Sequence, residues 1–408
     1  MRVAIFTDND FDRVNGVTTT LKAVLRHAPE DIHARVFGAA DLDIDAPDYR
    51  AVASVGVEFP WYREMRVYWP RWRALSRALR AEHADLVHVT TTGPTGLAAC
   101  RLAQGLGLPV VGSVHARLGD YFRALNGLAP MARRIDQCAR WCYRDCDSVL
   151  VPSEGTRTTM IDEGYASEQL RVWSPGVDAD RFSPARRSNA LRERWHVSDR
   201  RLAILYCGRL VREKGLDVIE PLYRWLLRRG IAHRFVFVGA GPLRAALAER
   251  CPDAMFLGEV PHADVGVAMA SADVFLFPSA TDASGTAVLE AQASGLPVLV
   301  TDRGGPLENM QPGVTGRVCG DGDVDAFGQG LADLARRPAL RQSMAAAARA
   351  YAVERPWSRA LAPLHAAWRT AVASSARIAS RRRPQQLQEH VAVLGHPGEL
   401  PRARSGRR

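Results

Sequence analysis

Residues 271–302, SADVFLFPSATDASGTAVLEAQASGLPVLVTD, constrain the fold more than any other stretch of the chain. The apolar run Val274–Phe277 has strand length and is stopped by Pro278. Small and polar residues follow as far as Gly285. The pattern predicts a helix over about 286–294, with Gly295 and Pro297 past its end as stop signals. Residues 297–300 read as the next strand. Strand, loop, helix and strand make a βαβ unit, and in open sheets of such units ligands bind beyond the carboxyl ends of the strands. Asp282 in the loop and Glu290 in the helix flank that place. The helix start supplies unpaired N–H groups and a positive dipole end, which suit a phosphate. A carboxylate beside a diphosphate is repelled, so the two acids fit better as acceptors for sugar or ribose hydroxyls. A surface acid on a loop and an unrelated helix acid account for the spacing equally well.

A chain of 408 residues, 47% of them apolar, has room for two or three domains with full cores. It has no apolar run long enough to span a membrane. Its first residues enter a strand at once, which argues against a signal peptide. Seven cysteines in a chain of this length suit a reducing, cytoplasmic setting. Cys138, Cys142 and Cys146 recur every four residues, as on one helix face. A thiol-lined core face explains them better than a metal site, because no local histidine or fourth cysteine completes a ligand set. The net charge is +10, and residues 371–408 hold eight Arg against two Glu in a Pro-, Ser- and Gln-containing tail. Such a tail is expected to be disordered, and either solvated or drawn to anionic lipid. Nothing resembles a nucleic-acid-binding motif. Only Lys22 and Lys214 depart from an otherwise exclusive use of Arg among the basic residues.

Taken in order, residues 2–7 open a Rossmann-like half, and Asn15-Gly16 marks a turn where backbone can approach a ligand. Asp8-Asn9-Asp10 mimics an Asp-x-Asp metal motif but sits at a strand end, so a metal role is discounted. Residues 58–72, EFPWYREMRVYWPRW, mix aromatics with Arg. They read as a strand and loop before a helix, or as a surface for a lipid interface. Buried strands are expected at 85–89 and 109–114, with His115 directly after the second. SVLVPS at 148–153 echoes VFLFPS at 274–279, which suggests two similar halves. In the second half, Arg209 and Lys214 flank a strand-to-helix loop and can grip two phosphate oxygens. A solvated charged loop is the ordinary alternative. Gly239-Ala240-Gly241 competes as a dinucleotide fingerprint, with Glu259 at the place of a ribose acid, but Arg244 occupies the third glycine position. Residues 256–260 are placed at a base pocket, and Gly304-Gly305 offers backbone amides to phosphate.

FPSATD, Gly285 and LEAQASGLPVLVTDRGGP together resemble the Glu/Asp-x7-Glu signature of retaining glycosyltransferases of family four, which have the GT-B fold. GRLxxEKG at 208–215 and the VVxSxH segment ending at His115 are further signatures of that family. The chain departs from it at Ala283-Ser284, where the family has a Thr-Phe pair. The resemblance covers about residues 1–370 and implies an α/β, GT-B architecture of two Rossmann-like, doubly wound domains facing a cleft. It implies an acceptor domain over 1–180, a donor domain over 181–356 and a helix at about 357–373 that returns to the first domain; composition sets off the basic tail at 374–408. The resemblance implies transfer of a hexose, with retention, from a nucleotide-diphosphate sugar to a lipid or glycan hydroxyl. Mannose from GDP-mannose is the first expectation and a UDP-sugar the second. By the same resemblance Gly16, Arg209, Lys214, Gly285, Thr286 and Glu290 bind the donor. His115, Arg209, Lys214 and Asp282 serve the reaction, and Tyr121 matches a family aromatic. Neither cofactor nor metal is expected; peripheral contact with an anionic membrane and a solvated tail without a partner are equal alternatives. Rival readings are an NAD-dependent enzyme centred on Gly241, a sugar-nucleotide epimerase of the same fold, and a binding protein without turnover.

Overall fold

The computed structural model describes residues 1–9, 11, 16–59, 62–115, 117–124 and 129–377. Two parallel sheets dominate. The first runs through β1 (Arg2–Phe6), β2 (His33–Ala40), β3 (Ile44–Asp45) and β4 (Tyr49–Ala53). A separate antiparallel hairpin follows, β5 (Val55–Phe59) and β6 (Tyr62–Trp69). The first sheet then resumes with β7 (Leu86–Val89), β8 (Val110–Ser113), β9 (Ser148–Val151) and β10 (Leu170–Val172). Its spatial order is β10-β9-β8-β7-β1-β2-β4-β3, parallel except for the β3–β4 edge. The second sheet contains β11 (Leu202–Cys207), β12 (His233–Val238), β13 (Met255–Gly258), β14 (Val274–Phe277), β15 (Val298–Thr301) and β16 (Gly316–Cys319). Its order is β13-β12-β11-β14-β15-β16, parallel throughout.

Both orders place the first strand of the half near the middle, with the chain moving outward one way and then the other. This is the doubly wound arrangement, and its crevice lies where the order reverses: between β1 and β7, and between β11 and β14. The strands read as unbroken apolar runs because helices cover both faces. Val274 through Leu276 and Val298 through Val300 have no exposure at all. The expected helix within 271–302 spans Thr286–Ala293 and the following strand begins at Val298, one residue later than the sequence pattern places it.

The hydrophobic residues divide into three clusters. One fills the second domain around Phe235, Phe237, Phe275 and Phe327. A second covers one face of the first sheet and includes Cys100, Cys142 and Cys146. The thiol-lined face is therefore real for Cys142 and Cys146, whereas Cys138 is exposed. The third cluster joins Val3, Ile5, Val36 and Leu86 to Trp357, Leu361, Leu364, Trp368 and Ala371. The chain thus comes back after the second domain. Val177 and Pro356 pair where it leaves and returns, and residues 362–377 are helical against the first domain. Arg349 holds the junction by donating to the carbonyls of Ala179, Phe182 and Ala293. The basic tail expected to be disordered lies, from residue 378 on, outside the described residues.

Trp368 has no exposed surface and is the largest single anchor of the returning helix. Trp368→Ala should destabilise the first domain by about 3–5 kcal/mol. It should also speed amide exchange in β1 and β7 more than in β11 and β14. Equal protection in all four strands would show that the returning helix is not part of that core.

Candidate active site

Lys214 and Asp282 meet across the reversal point of the second sheet. The loop after β11 carries Arg209 and Lys214, and the loop after β14 carries Asp282. Lys214 Nζ donates to Asp282 Oδ2 at 2.7 Å and sits 5.7 Å from the centre of the Phe277 ring. The other carboxylate oxygen accepts from the amides of Gly285, 2.7 Å, and Ser284, 3.2 Å. Burial alone would raise the Asp282 pKa, but the Lys214 charge and these hydrogen bonds reverse that and hold it below the usual value. The carboxylate is therefore already committed. Its arrangement fits a group that positions Lys214 and the helix start more than one that holds a sugar hydroxyl.

Gly285 is held at φ +63°, and a Cβ there would lie 2.7 Å from Pro306 Cα, so only glycine fits both the conformation and the space. That turn lets the helix Thr286–Ala293 begin directly beside the ion pair. The amides of Thr286 and Ala287 open the helix and have no acceptor within it. The Ser284 and Thr286 hydroxyls lie 3.2 Å apart at the same end, and the first turn has no acidic residue. Gly305, read from the sequence as a phosphate amide, instead donates its N–H to the Asp282 carbonyl at 2.8 Å. It closes the loop rather than facing a ligand.

Arg209 lies 3.8 Å from Glu213, and the Tyr206 hydroxyl donates to its carbonyl at 2.9 Å. Burial lowers the Arg209 pKa, against the nearby charges of Glu213 and Asp282, and Arg209 leaves the same strand end as Lys214. Glu290 faces His262 instead. Arg181 donates to His262 Nδ1 at 2.7 Å, which leaves the imidazole proton on Nε2, 3.4 Å from Glu290 Oε1. Arg181 and His262 escaped the sequence reading. His262 follows Pro261 at the start of a helix, where nothing in the local pattern distinguishes it from a surface residue. Gly239 and Gly241 face the backbone of the β11 loop: Cβ atoms would meet Gly208 O at 2.1 Å and Leu210 O at 2.4 Å. They serve the close approach of two loops, and no helix starts until Arg244.

The first domain uses its own reversal point differently. The Asp8 carboxylate accepts from Thr91 Oγ1 and from the amides of Gly93, Thr95 and Gly96. It caps the helix Pro94–Leu106, so a cap explains the acid that mimics a metal motif. Asp10 and Asn15 lie outside the described residues. Gly16 begins the helix Gly16–Arg26, is exposed, and meets none of the described residues within 4 Å of where a side chain would start. His115 follows β8 and makes edge contact with Trp173. Its Nε2 lies 3.0 Å from Ser113 Oγ, which in turn lies 2.9 Å from His88 Nε2. Burial lowers the His115 pKa to about 4. Burial, with the neighbouring His115, lowers that of His88 to about 3. Of Tyr121 only the backbone, in the helix Leu118–Ala124, is described.

Residues 14–181 match the description Glycosyltransferase Family 4, and residues 188–351 match Glycosyl transferases group 1. A GDP-mannose-dependent alpha-mannosyltransferase of Mycobacterium tuberculosis is 32% identical over 366 residues, spanning 88% of this chain and 93% of that protein. The chain is a family-four glycosyltransferase. The sulfoquinovosyl transferase SQD2 of Arabidopsis thaliana is 28% identical over 87% of this chain and 71% of its own. Among solved structures, the sucrose-phosphate synthase of Thermosynechococcus elongatus superposes with a TM-score of 0.73 at 18% identity, covering 91% of this chain and 99% of that one. Anabaena HepE with UDP-glucose superposes with a TM-score of 0.70 at 18% identity, covering 93% of this glycosyltransferase and all of HepE. Their likeness establishes the GT-B fold, with two Rossmann-like domains.

The buried imidazoles should make this glycosyltransferase sensitive to acid. A histidine held neutral when folded but titrating near 6.5 when unfolded contributes stability that is present at neutral pH and lost as pH falls toward the folded value. His88 alone should account for about 2 kcal/mol between pH 7 and pH 5. Thermal melting of wild type and His88→Gln across that range should show a shallower pH dependence in the variant. Parallel curves would mean that His88 takes up its proton without opening the fold.

Proposed function

We propose that this glycosyltransferase moves mannose from GDP-mannose to a hydroxyl of a lipid or glycan acceptor, with retention of the anomeric configuration. The observation that carries the reading is the Lys214–Asp282 pair beside the start of the helix Thr286–Ala293, with Arg209 in the same site. Cleavage of the C1–O bond builds positive character on the sugar and negative charge on the departing diphosphate. Lys214, Arg209 and the amides of Thr286 and Ala287 are placed to stabilise that negative charge as it grows, which lowers the barrier rather than only binding the donor. These fixed cations do the work without a metal. Glu290, oriented by His262, accepts from the ribose hydroxyls. His115 supports the sugar from the opposite domain. The mannosyltransferase and sulfoquinovosyl transferase relatives favour a sugar-nucleotide donor.

The acceptor side favours work at a membrane surface. No helix among the described residues is long and apolar enough to cross a membrane. The β5–β6 hairpin, however, leaves Val55, Val57 and Trp69 largely exposed, with Trp72 beside them. Such residues fit the headgroup level of a bilayer. On this reading the enzyme is a cytoplasmic protein in peripheral contact with anionic lipid.

The deciding experiment is thermal melting against GDP-mannose, UDP-glucose, ADP-glucose and NAD, with and without a chelator, because selective binding stabilises the folded state. GDP-mannose alone should shift the transition, chelation should leave the shift intact, and Lys214→Ala should remove it. Turnover in Lys214→Ala should fall by about a hundredfold or more. A UDP-sugar shift would reassign the donor, and an NAD shift alone would overturn the reading. Separately, Trp69→Ser with Trp72→Ser should release the enzyme from vesicles containing anionic lipid. Unchanged vesicle binding would remove the hairpin from the membrane contact.

A further inference from the structure

His88 has no described role in binding, yet it lies fully buried on a central strand of the first sheet and reaches His115 through one hydroxyl. We infer that His88, acting through Ser113, fixes the tautomer of His115 so that its Nδ1–H is presented to the cleft as a hydrogen-bond donor. The inference rests on the reading above that His115 supports the donor sugar.

The chain of contacts is short. His88 Nε2, Ser113 Oγ and His115 Nε2 are linked at 2.9 Å and 3.0 Å. Ser113 is itself fully buried, and the Tyr143 hydroxyl donates to its carbonyl at 3.0 Å. A serine hydroxyl carries one proton, so between two Nε2 atoms it donates to one and accepts from the other. Two arrangements are possible for neutral rings. In the first, His88 Nε2–H donates to Ser113, which donates to a bare His115 Nε2, and the His115 proton is on Nδ1. In the second, every proton is reversed, and His88 carries its proton on Nδ1.

The surroundings of His88 choose between them. His88 Nδ1 is buried and has no partner among the described residues. A buried N–H without an acceptor is worse tolerated than a lone pair without a donor. Trp368, packed edge-on against His88 at 5.5 Å, has a buried indole N–H that also lacks a partner. A second N–H on His88 would add another donor where acceptors are missing. The first arrangement avoids this. On His115, Nε2 is taken by Ser113, and Nδ1 has no protein partner among the described residues and is not among the buried unpaired atoms. Nδ1–H is therefore the group left for a ligand. A donor there suits an oxygen of the sugar or of the leaving phosphate, and its direction is set by a residue that touches neither. His88 is a positioning residue in this scheme.

The test reads the tautomer directly. Nitrogen-15 NMR of histidine-labelled full-length enzyme, with His115 assigned by its loss in His115→Gln, reports which ring nitrogen carries the proton. His115 should be protonated on Nδ1 in wild type and should shift toward Nε2–H in Ser113→Ala, a small buried change that keeps the fold. Kinetically, Ser113→Ala should lower kcat by about tenfold or more while the donor-induced melting shift is kept. His88→Gln, whose amide can still donate to Ser113, should retain more turnover than His88→Leu. A wild-type His115 protonated on Nε2, or a tautomer unmoved in Ser113→Ala, overturns the inference. Full turnover in His115→Gln with Nδ1–H present in wild type would instead overturn the sugar-supporting role and leave the proton arrangement standing.

Discussion

The contact between Lys214 and Asp282 fixes the two loops that diverge at the reversal point of the second sheet. Both side chains are largely removed from water, Lys214 to 8% exposure, and neither charge would be tolerated there alone. Paired, they tie the loop after β11 to the loop after β14. Asp282 extends the tie in two directions, through its carboxylate to the amides of Ser284 and Gly285, and through its carbonyl to Gly305. A single residue thus fixes a cation, the start of a helix and the next loop. Groups fixed in this way need not reorganise when charge develops on a leaving phosphate, which is where preorganised dipoles and cations have most effect.

The first domain solves the same topological problem with the same residue type. Asp8, after β1, reaches across to the loop after β7 and holds Thr91, Gly93, Thr95 and Gly96. In both halves a carboxylate bridges the two loops that diverge at the reversal point. In the first half its partners are only hydrogen-bond donors, and in the second they include a lysine. The two halves share a scaffold, and the second adds a cation to the amides that hold its acid.

What the sequence made legible follows the physics of each signal. Unbroken apolar runs such as 274–277 and 298–301 are strong signals, because a strand buried on both faces needs no polar residue. They placed β14 and β15 to within a residue, whereas the edge strand β16, with Gly316 and Arg317 in a four-residue run, was not read. The hydrophobic returning helix was legible only through the family resemblance, since its partners lie far earlier in the chain. Around the site, Arg209, Lys214, Asp282 and Gly285 stand in short local motifs. The group beside Glu290 does not: His262, and the Arg181 that orients it, come from other segments, and no spacing rule connects them. The role of Asp282 was also hidden. Its carboxylate already accepts from Lys214, Ser284 and Gly285, and only the geometry shows this. Gly305 shifted for the same reason, from phosphate amide to loop closure.

The returning helix has a consequence for synthesis. Val3 and Ile5 are synthesised long before Trp357, Leu361 and Trp368, which complete the cluster that buries them. The second domain has a core made of residues 177–352, contiguous in the chain. During translation the second domain can therefore close while the first still shows an apolar flank to the cell. The order of folding is then opposite to the order of synthesis, and the nascent first domain is the natural client of any chaperone that screens exposed strands.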